Sequence, residues 1–138
     1  MTTTASGPCG YVLADDLMFA SRITATGRSL GLPILQARNV AILTEALKKA
    51  WPKLLILDLG HPELQVVELL KALDAQDKPR PKIVAYGSHV DAASLHAARA
   101  AGCDIVLPRS KFVEELPVQL SVWAGTPTAD SKIGPLVT

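Results

Sequence analysis

Apolar and polar positions along this chain fall into two alternating rhythms. Short solid apolar runs are separated by longer stretches with apolar residues three or four apart. The clearest run is Leu54-Leu55-Ile56-Leu57, closed by Asp58. A run apolar on both faces suits a central strand of a parallel sheet covered by helices on each side. Shorter runs at 11–14, 33–37, 82–86 and 104–107 predict four more strands. The first intervening stretch places Leu17, Ala20, Ile23, Gly27 and Leu30 on one face of a helix over 17–30, with Gly31 as its stop and Pro33 beyond. Asn39 can cap a second helix reaching about residue 50, with Val40, Leu43, Leu47 and Ala50 inside. A third is predicted with Pro62 in its first turn and an apolar face of Leu64, Val67, Leu70 and Leu73. Asp91 or Ser88 can cap a fourth over 92–101, which Gly102 ends. The fifth covers roughly 111–123, and Pro117 must either kink it or delay its start.

Strand and helix therefore alternate five times. Right-handed crossovers turn that order into an α/β doubly wound, flavodoxin-like parallel sheet of five strands and five helices. Strand order 2-1-3-4-5 is the simplest arrangement, and it leaves the strands that carry Pro33 and Pro108 at the edges, where a missing N–H is tolerated. The 138 residues fit one domain. We read 1–9 as a polar leader, 10–124 as the domain and 125–138, rich in Gly, Pro, Thr and Ser, as a flexible tail.

Composition narrows the classes. Hydrophobic residues make up 49% but aromatic ones only 4%, so the core should be aliphatic. A net charge of +1 without a Lys/Arg block argues against a nucleic-acid groove. No apolar run approaches the roughly 18 to 20 residues of a membrane span. The first eight residues lack the basic and apolar regions of a signal peptide. Cys9 and Cys103 form neither a metal-ligand pattern nor a disulfide framework, so free thiols in a cytoplasmic protein are expected.

The candidate chemistry is acidic. Asp15 and Asp16 follow the first strand, and in the predicted order the first and third strands are neighbours. Asp15, Asp16 and Asp58 then emerge at the same end of the sheet, where open α/β folds bind ligands. Two carboxylates about 4 Å apart repel by about 4 kcal/mol at an effective dielectric near 20. Mg²⁺ is a natural guest, since it takes one or two carboxylates and keeps several waters. The plainer reading has Asp16 capping the first helix and Asp15 facing water. Catalytic alternatives lack their parts. A dehalogenase-like phosphatase wants a second Asp two residues after the nucleophile, where Gly60 stands. A dinucleotide site wants a Gly-rich turn where Asp15-Asp16 stands. His61 and His89 have no Ser or Cys nucleophile to serve. An enzyme is not expected.

Over about residues 10–122 the sequence resembles the receiver domain of bacterial two-component response regulators. The resemblance rests on Asp15-Asp16, on Asp58 ending the third strand, on Pro62 four residues later, and on Ala101-Gly102 before the fifth strand. It implies that Asp58 is a phosphoacceptor served by a histidine kinase. It also implies that Asp15, Asp16, Asp58 and the main-chain carbonyl of Gly60 hold Mg²⁺. The family's phosphate-sensing hydroxyl falls on Gly87, with Ser88 one place along. Its Lys falls on Arg109, after rather than before a proline, with Lys111 as a second candidate. Lys and Arg are not equivalent at a crowded phosphoryl site. Val66 replaces the family's Gly in the loop after the third strand. Two functions follow: a phosphorelay domain acting through Asp58, or a pseudo-receiver that works as an interaction module without phosphate. The resemblance puts partner contact on the surface from the fourth helix to the last, near His89, Leu95, Arg109, Phe112 and Trp123, with homodimerisation through the last helices. Phe112 and Trp123 also fit a core role.

Overall fold

Leu54–Asp58 forms the middle strand, β3, and every one of its residues is buried. The structure, a computed structural model, describes residues 8–125. The expected leader up to residue 7 and the expected tail from residue 126 lie outside the described residues. The other strands are β1 (Gly10–Leu13), β2 (Ile34–Ala37), β4 (Lys82–Gly87) and β5 (Ile105–Pro108). The helices are α1 (Leu17–Ser29), α2 (Val40–Lys49), α3 (Val66–Asp74), α4 (Ala92–Ala101) and α5 (Arg109–Trp123). All strand pairs are parallel and the order is β2-β1-β3-β4-β5, as predicted. Pro33 sits just before one edge strand and Pro108 ends the other.

Strand alternation divides the core into two halves. Val12, Leu54, Ile56, Val84 and Tyr86 face one side, against Ala20 and Ile23 of α1 and Phe112, Leu116 and Leu120 of α5. Tyr11, Leu13, Leu55, Leu57, Ile83 and Ala85 face the other, under Leu43, Leu70, Leu73, Leu95 and Ala98 of α2, α3 and α4. Asp58 continues the parity of Leu54 and Ile56, which directs its carboxylate to the α1/α5 side. At buried Gly27 a Cβ would stand 2.5 Å from the Leu32 carbonyl oxygen, so only glycine lets the chain turn this tightly from α1 into β2. Gly102 ends α4 with a φ of 112°, a left-handed conformation that glycine adopts without strain.

Three expectations need correction. α3 begins at Val66, not at Pro62. Residues 59–65 are held instead as a loop by hydrogen bonds from the His61 amide to the Asp58 carbonyl and from the Leu64 amide to the His61 carbonyl. The buried His61 ring fixes that loop: Nε2 donates to the Arg38 carbonyl at 2.7 Å, while Nδ1 accepts from the Glu63 amide at 3.1 Å. The Glu63 carboxylate accepts from the amide of Val40, the first residue of α2. With the later start, Val67 turns outward and Leu70 and Leu73 carry the buried stripe. Second, α5 is not delayed by Pro117; it starts at Arg109 and contains the proline. Third, Leu17 and Leu30 were expected inside but are exposed: Leu17 is the first residue of α1, and Leu30 is its C-cap, past the last helical residue.

Candidate functional site

The C-terminal ends of β1, β3 and β4 meet at one rim. Asp58 is 5% exposed there. Its Oδ1 accepts the Gly60 amide at 2.8 Å, closing the turn that follows β3. Nη2 of Arg109, the first residue of α5, lies 3.7 Å from the same oxygen. The Arg109 guanidinium is layered over the rings of Phe19, at 5.1 Å, and Tyr86, at 5.7 Å. Cation–π attraction thus holds it in place beside the carboxylate. The pair is lopsided: the Asp58 side chain is 7% exposed and that of Arg109 46%.

Tyr86 is the residue directly opposite Asp58 in the sheet register. Its ring packs between those of Phe19 (4.8 Å) and Phe112 (4.7 Å), tilted against both. Its buried hydroxyl makes no hydrogen bond among the described residues, though the Asp58 carboxylate is close enough to act on it. Burial above all, then the negative charge of Asp58, push the phenol well above its ordinary range; Arg109 pulls the other way, and Asp16 adds a smaller upward push. Asp16 is therefore within electrostatic reach of the same point. Its Oδ1 caps α1 by accepting the Phe19 amide at 3.1 Å.

Several predicted site residues take other roles. Asp15 and Asp16 do stand beyond β1, next to the strand that carries Asp58, and both are exposed. Yet no group of three or more His, Cys, Asp or Glu among the described residues is arranged to hold a metal ion. Asp16 is a helix cap, and Oδ1 of Asp58 already receives Gly60 and Arg109. The expected Mg²⁺ ligands Asp15, Asp16, Asp58 and Gly60 thus lie at one rim, with one oxygen each of Asp16 and Asp58 already engaged inside the protein. Gly87 does not align with the carboxylate: a Cβ there would meet Leu59 and Leu95, on the opposite side of the sheet. Ser88 is exposed and its Oγ accepts the Val90 amide. The hydroxyl beside Asp58 is that of Tyr86, which reads in sequence as an ordinary strand residue. Pairing β4 with β3 from Lys82 opposite Leu54 brings position 86 opposite 58, the count that reveals it. Of the two cations expected to sense phosphate, Arg109 reaches Asp58. Lys111 instead pairs with Glu115 at 3.5 Å and Glu114 at 3.9 Å along its own helix. The expected partner surface is also reduced: Leu95, Phe112 and Trp123 are buried, and only His89 and Arg109 are exposed. These two, with Phe19, Ser88, Ser110 and Val113, line an open cleft of about 410 Å³.

Such a site, an acidic strand end at the switch point of a 2-1-3-4-5 parallel sheet with helices on both faces, defines the flavodoxin-like class. Within that class the chain has the receiver-domain fold of response regulators. The signal receiver domain of a response regulator from Bermanella marisrubri is 25% identical, with a TM-score of 0.70 over 83% of this chain and 95% of that one. A response regulator receiver protein from Burkholderia phymatum (20% identity, TM-score 0.69) covers 86% of this chain and 96% of its own. The receiver domain of NtrX from Brucella abortus (17%, TM-score 0.71) covers 86% and 99%. No protein-family model matches the chain, and no curated protein does.

Proposed function

We propose that this chain is a receiver-type signalling domain that acts through protein contact without taking up a phosphoryl group. The observation that carries the reading is the Arg109–Asp58 pair. The carboxylate is almost wholly buried, and one of its oxygens already has an internal cation and a backbone donor. Receiver domains use this carboxylate to accept phosphate from a histidine kinase and read the result through a hydroxyl and a Lys. Here the cation is in place beforehand, the Ser88 hydroxyl accepts the Val90 amide, and the hydroxyl opposite Asp58 belongs to a buried tyrosine. A site already neutralised has little to gain from the charge whose arrival usually throws the switch.

A second reading keeps Asp58 as phosphoacceptor in a phosphorelay, with Mg²⁺ belonging to that reading alone. The partial exposure of Arg109 favours it, because the guanidinium can swing out and uncover the carboxylate. One assay separates the two. The purified protein is incubated with Mg²⁺ and a small acyl-phosphate donor, then weighed intact by mass spectrometry. We expect no added phosphoryl group under conditions that modify an ordinary receiver. An adduct on the wild type that disappears in Asp58→Asn would replace the first reading with the second. For self-association through α5, the support is the outward pair Val118 and Val122.

A further inference from the structure

The sheet face turned away from the Asp58 carboxylate is covered by α2, α3 and α4. α3 packs on α4, but between α2 and α3 an open groove of about 370 Å³ remains. Two helices form its walls. Thr44, Leu47 and Lys48 come from α2, at i, i+3 and i+4, and Trp51 from the extended segment that follows it. Leu69, Ala72 and Leu73 come from α3 at the same spacing, with Gln76 just past its end. Residues at i, i+3 and i+4 share one side of a helix, so each helix turns one face to the groove. Leu47, Trp51 and Leu69 pack on the core beneath but are only half-buried, leaving apolar surface open along the groove.

Trp51 is fixed in place. Its indole Nε1 donates to the Pro79 carbonyl at 2.7 Å, and the Lys78 ammonium lies 5.1 Å from its ring centre. An aromatic side chain already held in its binding pose loses little freedom on association. Among the described residues, the ionisable groups lining the groove are Lys48 and Lys78, both cations, with no carboxylate beside them in the lining. Lys48 has Glu45 at 3.3 Å, but both groups are about two-thirds exposed, a pairing easily exchanged for a better one. An apolar trough between two helices with lysines at its rim suits an amphipathic helix that carries acidic residues beside its apolar stripe.

We propose that the α2–α3 groove is the docking site for an acidic amphipathic helix of a partner protein, with Trp51 as its aromatic anchor. The groove lies across the sheet from Asp58, so the inference stands whether or not that carboxylate takes up phosphate. Residues 126–138 are a poor match as occupant. They contain one Asp, one Lys and two prolines, which makes neither an acidic nor a continuous helix.

The test uses the full chain and a capped model peptide roughly 15 residues long, long enough to hold a helix, with Leu at helical spacing and Glu on the flanks. Trp51 emission and backbone amide shifts are followed together. Trp123 is 2% exposed on the other side of the sheet, so an emission change reports Trp51. The expected result is a saturable change with shifts confined to α2, α3 and the Trp51 segment. Combined Lys48→Glu and Lys78→Glu should weaken it by about tenfold, with unchanged thermal unfolding. No saturable change overturns the proposal, as does equal affinity for a peptide with Lys in place of Glu. Shifts centred on another face also overturn it. Groove amides that move on concentrating the protein alone would assign the groove to a second copy instead, and ones that move on deleting residues 126–138 would assign it to the chain's own end.

Discussion

Removing the Arg109 guanidinium would leave the Asp58 carboxylate buried with the Gly60 amide as its known donor. At 3.7 Å the pair attracts by about 4 kcal/mol at an effective dielectric near 20. Arg109 is nearly half exposed, so solvent screens the pair and roughly half of that attraction is retained. Layering over Phe19 and Tyr86 adds about 0.5–1 kcal/mol that does not depend on Asp58. Arg109→Ala should therefore destabilise the domain by about 2–3 kcal/mol, or about 6–12 °C in Tm for a chain of this size. Asp58→Asn should cost less, about 1 kcal/mol or under, because the new side-chain carbonyl still accepts Gly60 and the freed guanidinium returns to water. In a chain that already carries Asp58→Asn, adding Arg109→Ala should cost only about 1 kcal/mol, the packing share alone. Urea unfolding of the wild type, both single variants and the double variant, followed by circular dichroism, measures all three costs. An Arg109→Ala cost that is the same in the wild type and in the Asp58→Asn variant would refute the reasoning, since the carboxylate would then contribute nothing to holding Arg109.

Tyr86→Phe should raise stability by about 1 kcal/mol, because it deletes a buried hydroxyl that has no hydrogen-bond partner among the described residues. A loss of that size in the same urea experiment would mean that the hydroxyl is bonded. Hydrogen bonds from the Ser94 hydroxyl and amide hold the Asp91 carboxyl below its ordinary range. Its folded pKa being the lower one, its contribution is present above the ordinary Asp value and is lost as pH falls through the depressed value. Amide exchange in the first turn of α4 should therefore be faster in Asp91→Ala than in the wild type near neutrality, and the two should converge in acid. Burial pushes the Cys103 thiol up to about 11. Its contribution is complete below the unfolded value and falls as pH rises toward the folded one. A thiol reagent near neutral pH should label Cys103 only as fast as the protein opens, and rapid labelling of the folded protein would contradict its burial.

The architecture was legible because it depends on features one sequence displays directly. A run such as Leu54–Leu57 has no polar side to show to water, and Pro33 and Pro108 are tolerated only at sheet edges. Asp58 could be singled out for the same reason, as the charge that ends a wholly apolar strand. What was not legible depends on pairing across strands. Whether position 86 or 87 stands beside Asp58 follows from where β4 aligns with β3, and an error of one residue reverses every side chain. Counting from the family's motif at Ala101-Gly102 pointed to Gly87 and Ser88 and could not show that Tyr86 is the residue opposite Asp58. Leu95 was placed on the family's contact face, whereas the structure buries it; for Phe112 and Trp123 the structure takes the core role that the sequence also allowed. The late start of α3 was hidden for a different reason. Pro62 opens helices well, but the His61 ring and the Glu63 carboxylate are engaged with the β2–α2 connection, and no local pattern announces so distant a tie.

That tie has a mechanical consequence. The segment after Asp58 is stitched to the start of α2 at two points, His61 to the Arg38 carbonyl and Glu63 to the Val40 amide. Any force that lifts this segment strips the first α2 amide of its acceptor, so a disturbance beside Asp58 arrives as fraying of a helix two strands away. α2 is also a wall of the Trp51 groove, which connects the acidic rim to the back of the sheet without moving α4 or α5. Exchange of the Val40 amide is the gauge: it should quicken in Glu63→Ala, which removes the acceptor, and an unchanged rate would mean that the stitch bears no tension.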